Sequence, residues 1–156
     1  CGMLLALMLV LGFVESQIPV AVGIPGIKLG LSNGVLIFAV YMLDIPTAYV
    51  LMVFKVFLSN VLFGSLGVTF AMGFAGGLAS LTAMVLISRI KGMHPVTVSI
   101  VGGVFHNVGQ ILMAMLLLGT AELGYYLIVL AITGTVAGLF IGLCGALLIR
   151  RIPNRI

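Results

Sequence analysis

The chain has 156 residues, 63% of them hydrophobic and only 6% charged, with a net charge of +4 from seven Lys and Arg against three Asp and Glu. Soluble domains are about 45–50% apolar and about 25% charged, so the composition excludes a water-soluble globule, a nucleic-acid-binding domain and a disordered tail. What remains is an all-α integral membrane protein, in which the few basic residues report orientation first.

A spanning helix needs roughly 20 mostly apolar residues, and turn residues divide the chain into six such runs in one domain over residues 1–156. The first predicted helix covers residues 2–20 and ends at Pro19 and the Gly23–Pro25–Gly26 turn. Glu15, Ser16, Gln17 and Ile18 follow its apolar run with no small-residue cleavage site, which reads as a retained helix rather than a signal peptide. The second, over 29–43, stops at Asp44 and Pro46; about 15 residues reach only about 22 Å, so it is short for a span. The third covers 45–63 and ends at Gly64 and Gly67, and the fourth covers 66–88 and ends at Arg89 and Lys91. The fifth, over 96–118, is opened by Pro95; the sixth, over 123–149, runs into Arg150 and Arg151.

Charge parity then gives a topology. Arg89 and Lys91 precede helix five, and Arg150, Arg151 and Arg155 follow helix six, so two spans place both clusters on one side. Basic residues favour the cytoplasm, which puts both termini inside and the loops after helices one, three and five outside. Lys28 is the exception on the outer side. It reads either as a functional cation or as a snorkelling side chain.

Small residues recur at four-residue spacing: Ala71, Ala75, Ala79 and Ala83 on helix four, and Gly134, Gly138 and Gly142 on helix six. Such ladders line one helix face and let another backbone approach. They read as helix packing within the chain.

Ionisable and amide groups inside a bilayer are costly and tend to face a partner or a cavity. Three places carry them: Glu15–Ser16–Gln17–Ile18–Pro19 at the outer end of helix one, Lys28 to Asn33 at the outer start of helix two, and His106–Asn107–Val108–Gly109–Gln110 near the middle of helix five. His106 and Gln110 are four apart and share a face. Lys55 and Asn60 on helix three extend the set, and Lys55 is placed to pair with Glu15. The same groups also serve as interhelical hydrogen-bonding residues, so both readings stand. Enzymatic readings fail on counts. Diphosphate chemistry needs clustered acids to hold Mg²⁺, whereas Glu15, Asp44 and Glu122 are widely separated. Two His residues half a membrane apart make no metal site, and no cofactor is implied.

The segments Glu15–Ser16–Gln17–Ile18–Pro19, Pro25–Gly26–Ile27–Lys28–Leu29–Gly30–Leu31–Ser32–Asn33 and His106–Asn107–Val108–Gly109–Gln110 resemble, in order and spacing, a bacterial membrane family, the Gx transporter family, often labelled heptaprenyl diphosphate synthase component I. That family is similar to the substrate-binding S components of energy-coupling-factor transporters. The resemblance implies a six-helix bundle in the bacterial cytoplasmic membrane with both termini inside. It implies a small vitamin-like solute bound near the outer face, and as partner a transmembrane coupling protein driven by ATPases. The small-xxx-small motif that such components carry on helix one is matched in part by Gly2 and Ala6. The expected solute ligands are Glu15, Lys28, Asn33, His106, Asn107 and Gln110. A non-catalytic membrane subunit of isoprenoid synthesis is the alternative that the label implies.

Overall fold

The computed structural model describes residues 2–17, 32–62 and 67–151. Among them are six α-helices, a short 3-10 helix and no strand: α1 (Gly2–Gln17), α2 (Asn33–Met42), α3 (Ile45–Leu62), α4 (Val68–Ser88), α5 (Pro95–Leu118), the 3-10 turn Ala121–Tyr125, and α6 (Tyr126–Arg151). Four stretches are long and apolar enough to cross a membrane: α3, α4, α5 and the continuous run Ala121–Arg151. α1 and α2 are shorter. Lys28, the Gly23–Gly30 loop and Arg155 lie outside the described residues.

Local sequence sets the helix ends. His94 caps α5 by accepting the Val96 amide at its ring Nδ1, and Pro95 occupies the first turn, where its missing N–H costs nothing. Gly119 closes the same helix at φ +65, a left-handed position that glycine takes without strain. α6 runs past the expected residue 149 to Arg151, which places Arg150 and Arg151 in its last turn, against the negative end of the helix dipole. Its start also differs from the expected residue 123, because Ala121–Tyr125 winds as a 3-10 turn.

Large apolar side chains face outward all round the molecule: Leu116, Ile128 and Phe140 are 80%, 70% and 66% exposed. In water a surface like this would be an aggregation liability; in a bilayer it is the lipid-facing side.

α5 is the central helix and packs most extensively against α4 and α6. Between bilayer-embedded helices no hydrophobic force acts, so close van der Waals contact holds them together, and glycine permits it. A Cβ on Gly103 would fall 2.5 Å from the Gly134 carbonyl oxygen, one on Gly138 2.7 Å from the Ile100 Cα, and one on Gly142 2.8 Å from the Val96 Cα. The pairing descends on α5 as it ascends on α6, so the two helices are antiparallel. On the other side, Gly109 lies against Ala75 and Ala79 of α4, and Gly102 against Met84. Ala71, one turn before Ala75, is half-buried.

α2 departs from its expected place. The Asn33 amide donates to Ser80 Oγ at 3.4 Å, and Gly34 abuts Ile141. Ser80 and Ile141 both lie well inside their helices, so α2 begins near mid-depth and runs to the end carrying Arg89 and Arg151. Ten residues cover about 15 Å. Asn33 is therefore a mid-depth residue, not one at the outer surface as its sequence position suggested.

Gly103→Val should drive the α5 and α6 backbones apart. Overpacking of this kind costs about 1–3 kcal/mol, so a lower melting temperature in detergent is expected. Gly145→Ala, where the nearest atom is 4.0 Å from the new Cβ, should leave it unchanged or raise it.

Candidate functional site

The glycines of α4 also shape a polar centre. A Cβ on Gly76 would sit 2.7 Å from Gln110 Cγ and 2.8 Å from the His106 carbonyl oxygen. At Gly73, one turn away, the nearest atoms belong to Val56 and Asn60 of α3. α4 is thus thin where α5 and α3 flank it, and their polar side chains reach across to one another. The result is a cavity of about 20 Å³ lined by Lys55, Val56, Ser59 and Asn60 of α3, Thr69 and Gly73 of α4, and His106 and Gln110 of α5.

Every ionisable or amide group in this lining is buried. Lys55 is 9% exposed, Asn60 3%, His106 2% and Gln110 1%. The Asn60 amide nitrogen donates to the Val56 carbonyl at 2.7 Å, while its Oδ1 has no partner among the described residues. A water needs roughly 10–15 Å³ and two to four polar partners, so the cavity is of a size and chemistry for one. Among the described residues, no three His, Cys, Asp or Glu side chains gather where a metal ion could sit.

The expected ligands divide. His106 and Gln110 share the cavity with Lys55 and Asn60. Glu15 is 2% exposed and lies on the face of α1 that also buries Met8 and Gly12. Gly12 approaches Ser59 of α3, so this face turns towards α3, but Glu15 does not line the cavity. Asn33 is held by Ser80 at mid-depth, away from it. Asn107, one residue on from His106 and about 100° round the helix, faces α6: its amide nitrogen donates to the Leu130 carbonyl at 2.6 Å, in space that Gly134 leaves open. Lys28 lies outside the described residues.

Sequence reasoning passed over Ser59, Thr69, Gly73 and Gly76. Hydroxyl residues are common on apolar helices and carry little signal alone. The glycines were readable, since Gly73, Gly76 and Gly77 form a second small-residue stripe beside the alanine ladder.

These features define a multi-pass helical membrane protein with a polar centre buried where α3, α4 and α5 meet. The chain matches the family model described as heptaprenyl diphosphate synthase component I over residues 4–148, nearly its whole length, and it belongs to that family. No curated protein and no solved structure matches it.

Asn107→Ala removes a hydrogen bond between transmembrane helices, an interaction worth on average about 0.6 and at most about 1.7 kcal/mol. Thermal unfolding in detergent should show a loss in that range. A change of zero would mean that the α5–α6 contact rests on glycine packing alone.

Proposed function

We propose that this protein is a membrane-embedded substrate-binding subunit of the S-component type, which takes up a small vitamin- or cofactor-like solute in the bacterial cytoplasmic membrane and has no catalytic role of its own. One observation carries the reading. Lys55, Asn60, His106 and Gln110, from two helices and across a third, bury their polar groups around one cavity inside an apolar bundle. Groups so costly to leave in lipid gather at one point, and a solute with matching donors and acceptors makes use of them. Glu15 and Lys28 supply charge at the outer side, and Lys55 stands as the counter-charge to Glu15. His106 and Gln110 supply oriented hydrogen bonds to the solute, while Asn33 and Asn107, turned to Ser80 and Leu130, hold neighbouring helices in place. The topology has six spans in one domain, with both termini cytoplasmic.

The cavity's 20 Å³ is far below the roughly 300–1,000 Å³ of a small-molecule site, so the solute enters as helices part. α1 is the least anchored, touching only α2 and α3 among the described elements. A transmembrane coupling protein with ATPases would drive release.

The family description favours a second reading, a membrane subunit that accompanies an isoprenoid synthase. Mild-detergent purification separates the two, since coupling ATPases or a retained small solute belong to the first and a soluble prenyl synthase chain to the second.

Once mass spectrometry names the co-purifying solute, His106→Leu and Gln110→Leu should each weaken its binding roughly tenfold, the loss of about one buried hydrogen bond. Lys28→Ala should also weaken it, with the melting temperature unchanged. Variants that melt earlier but bind normally would reduce the cluster to packing.

The orientation has its own check. In a cysteine-free background, a thiol at Lys91 should resist an impermeant reagent added outside intact cells, and one at Glu122 should react. Both positions are exposed, so equal labelling from one side would overturn the topology.

A further inference from the structure

We propose that an apolar groove between α1 and α6, which shares no lining residue with the polar centre, holds one acyl chain of an anionic phospholipid whose phosphate is bound by Arg151. The groove has a volume of about 430 Å³. Leu7 and Leu11 of α1 form one wall, Phe140 and Cys144 of α6 the other, and Gly34 and Phe38 of α2 the floor. The α1 and α6 backbones do not approach each other closely, so the groove separates them.

Charge selects the occupant. Arg151 lies seven residues beyond Cys144, two turns along the same stripe of α6 and about 10 Å further towards the basic end. It is exposed in the last turn of the helix. Arg150, Arg89 and Lys91 share that end, against the single acid Asp44. On the floor stripe, Tyr41 follows Gly34 by seven residues and carries a buried hydroxyl with no partner among the described residues. An apolar furrow leading to a guanidinium at the membrane surface matches a lipid with one negative phosphate in its headgroup, since basic residues near the surface attract anionic lipids.

The test is native mass spectrometry of the delipidated protein in detergent, titrated separately with phosphatidylglycerol, phosphatidylcholine of identical chains, and geranylgeranyl diphosphate. A single phosphatidylglycerol adduct should form at about fivefold lower concentration than the phosphatidylcholine adduct, the preference that one Arg near the surface provides. Arg151→Gln should abolish that preference and leave phosphatidylcholine binding unchanged. Gly145→Leu and Cys144→Phe fill the groove from positions where space exists, Gly145 having no neighbour closer than 4.0 Å and Cys144 being exposed. Each should weaken both phospholipid adducts several-fold at an unchanged melting temperature. Should one variant misfold, the other and Arg151→Gln still decide. Adducts indifferent to all three changes would overturn the site. Tighter loading of geranylgeranyl diphosphate would replace the phospholipid with an isoprenyl diphosphate. A dimer that Gly145→Leu dissolves would assign the groove to a second copy.

Discussion

The contact on which the structure depends is the backbone-to-backbone approach of α5 to its two neighbours. In water a helix is held by the apolar face it buries; in a bilayer the lipid is as apolar as the helix, and only closeness distinguishes the right neighbour. Gly103 facing Gly134, and Gly109 facing Ala75 and Ala79, give α5 that closeness on both sides at once. Since glycine contacts leave little room for rotation, they fix the helix about its axis as well as its distance. That rotation sends His106 and Gln110 towards α4 and α3, and Asn107 towards α6. A turn of one residue, about 100°, would exchange their surroundings.

Two kinds of buried polar group follow. Asn107 donates to a main-chain carbonyl of the neighbouring helix. The same Leu130 carbonyl also accepts the Thr133 hydroxyl, three residues on, at 3.1 Å. This is a contact between two fixed elements, and its effect is on stability. Asn60 differs. Its amide nitrogen is engaged within its own helix, which leaves the carbonyl oxygen turned to a cavity it shares with Lys55, His106 and Gln110. Three neighbouring polar residues on one helix can therefore serve different ends, and what separates them is the partner each meets.

The sequence made the apolar runs, the helix ends and the polar residues legible, because each rests on local chemistry. Pro95 and Gly119 mark α5, and the amide and imidazole groups stand out against an apolar background. The depth of Asn33 was not legible. It depends on where α2 sits against Ser80 and Ile141, and helices paired through small residues carry no register signal in their own periodicity. For the same reason the place of Lys55 beside His106 was not legible, since it follows from α3 and α5 each packing antiparallel to α4 on either side of it. Glu15 and His106 are both buried and His106 lines the cavity while Glu15 does not, since burial is a property of a residue and convergence a property of the fold.

The attachment of α1 ties the two cavities together. α2 is held by α4, α5 and α6, but α1 reaches the bundle only through α2 and α3. One flank of α1 forms a wall of the apolar groove; another buries Met8, Gly12 and Glu15 against the rest of the bundle. A rigid displacement of α1 away from α3 would expose the Glu15 carboxylate, and the same movement would narrow or widen the groove beside α6. A chain seated in the groove therefore resists movements of α1 that narrow it and yields to those that widen it. Because a ligand shifts a conformational equilibrium only by its difference in affinity for the two states, lipid in the groove would bias the exposure of Glu15 to the extent that the groove changes shape.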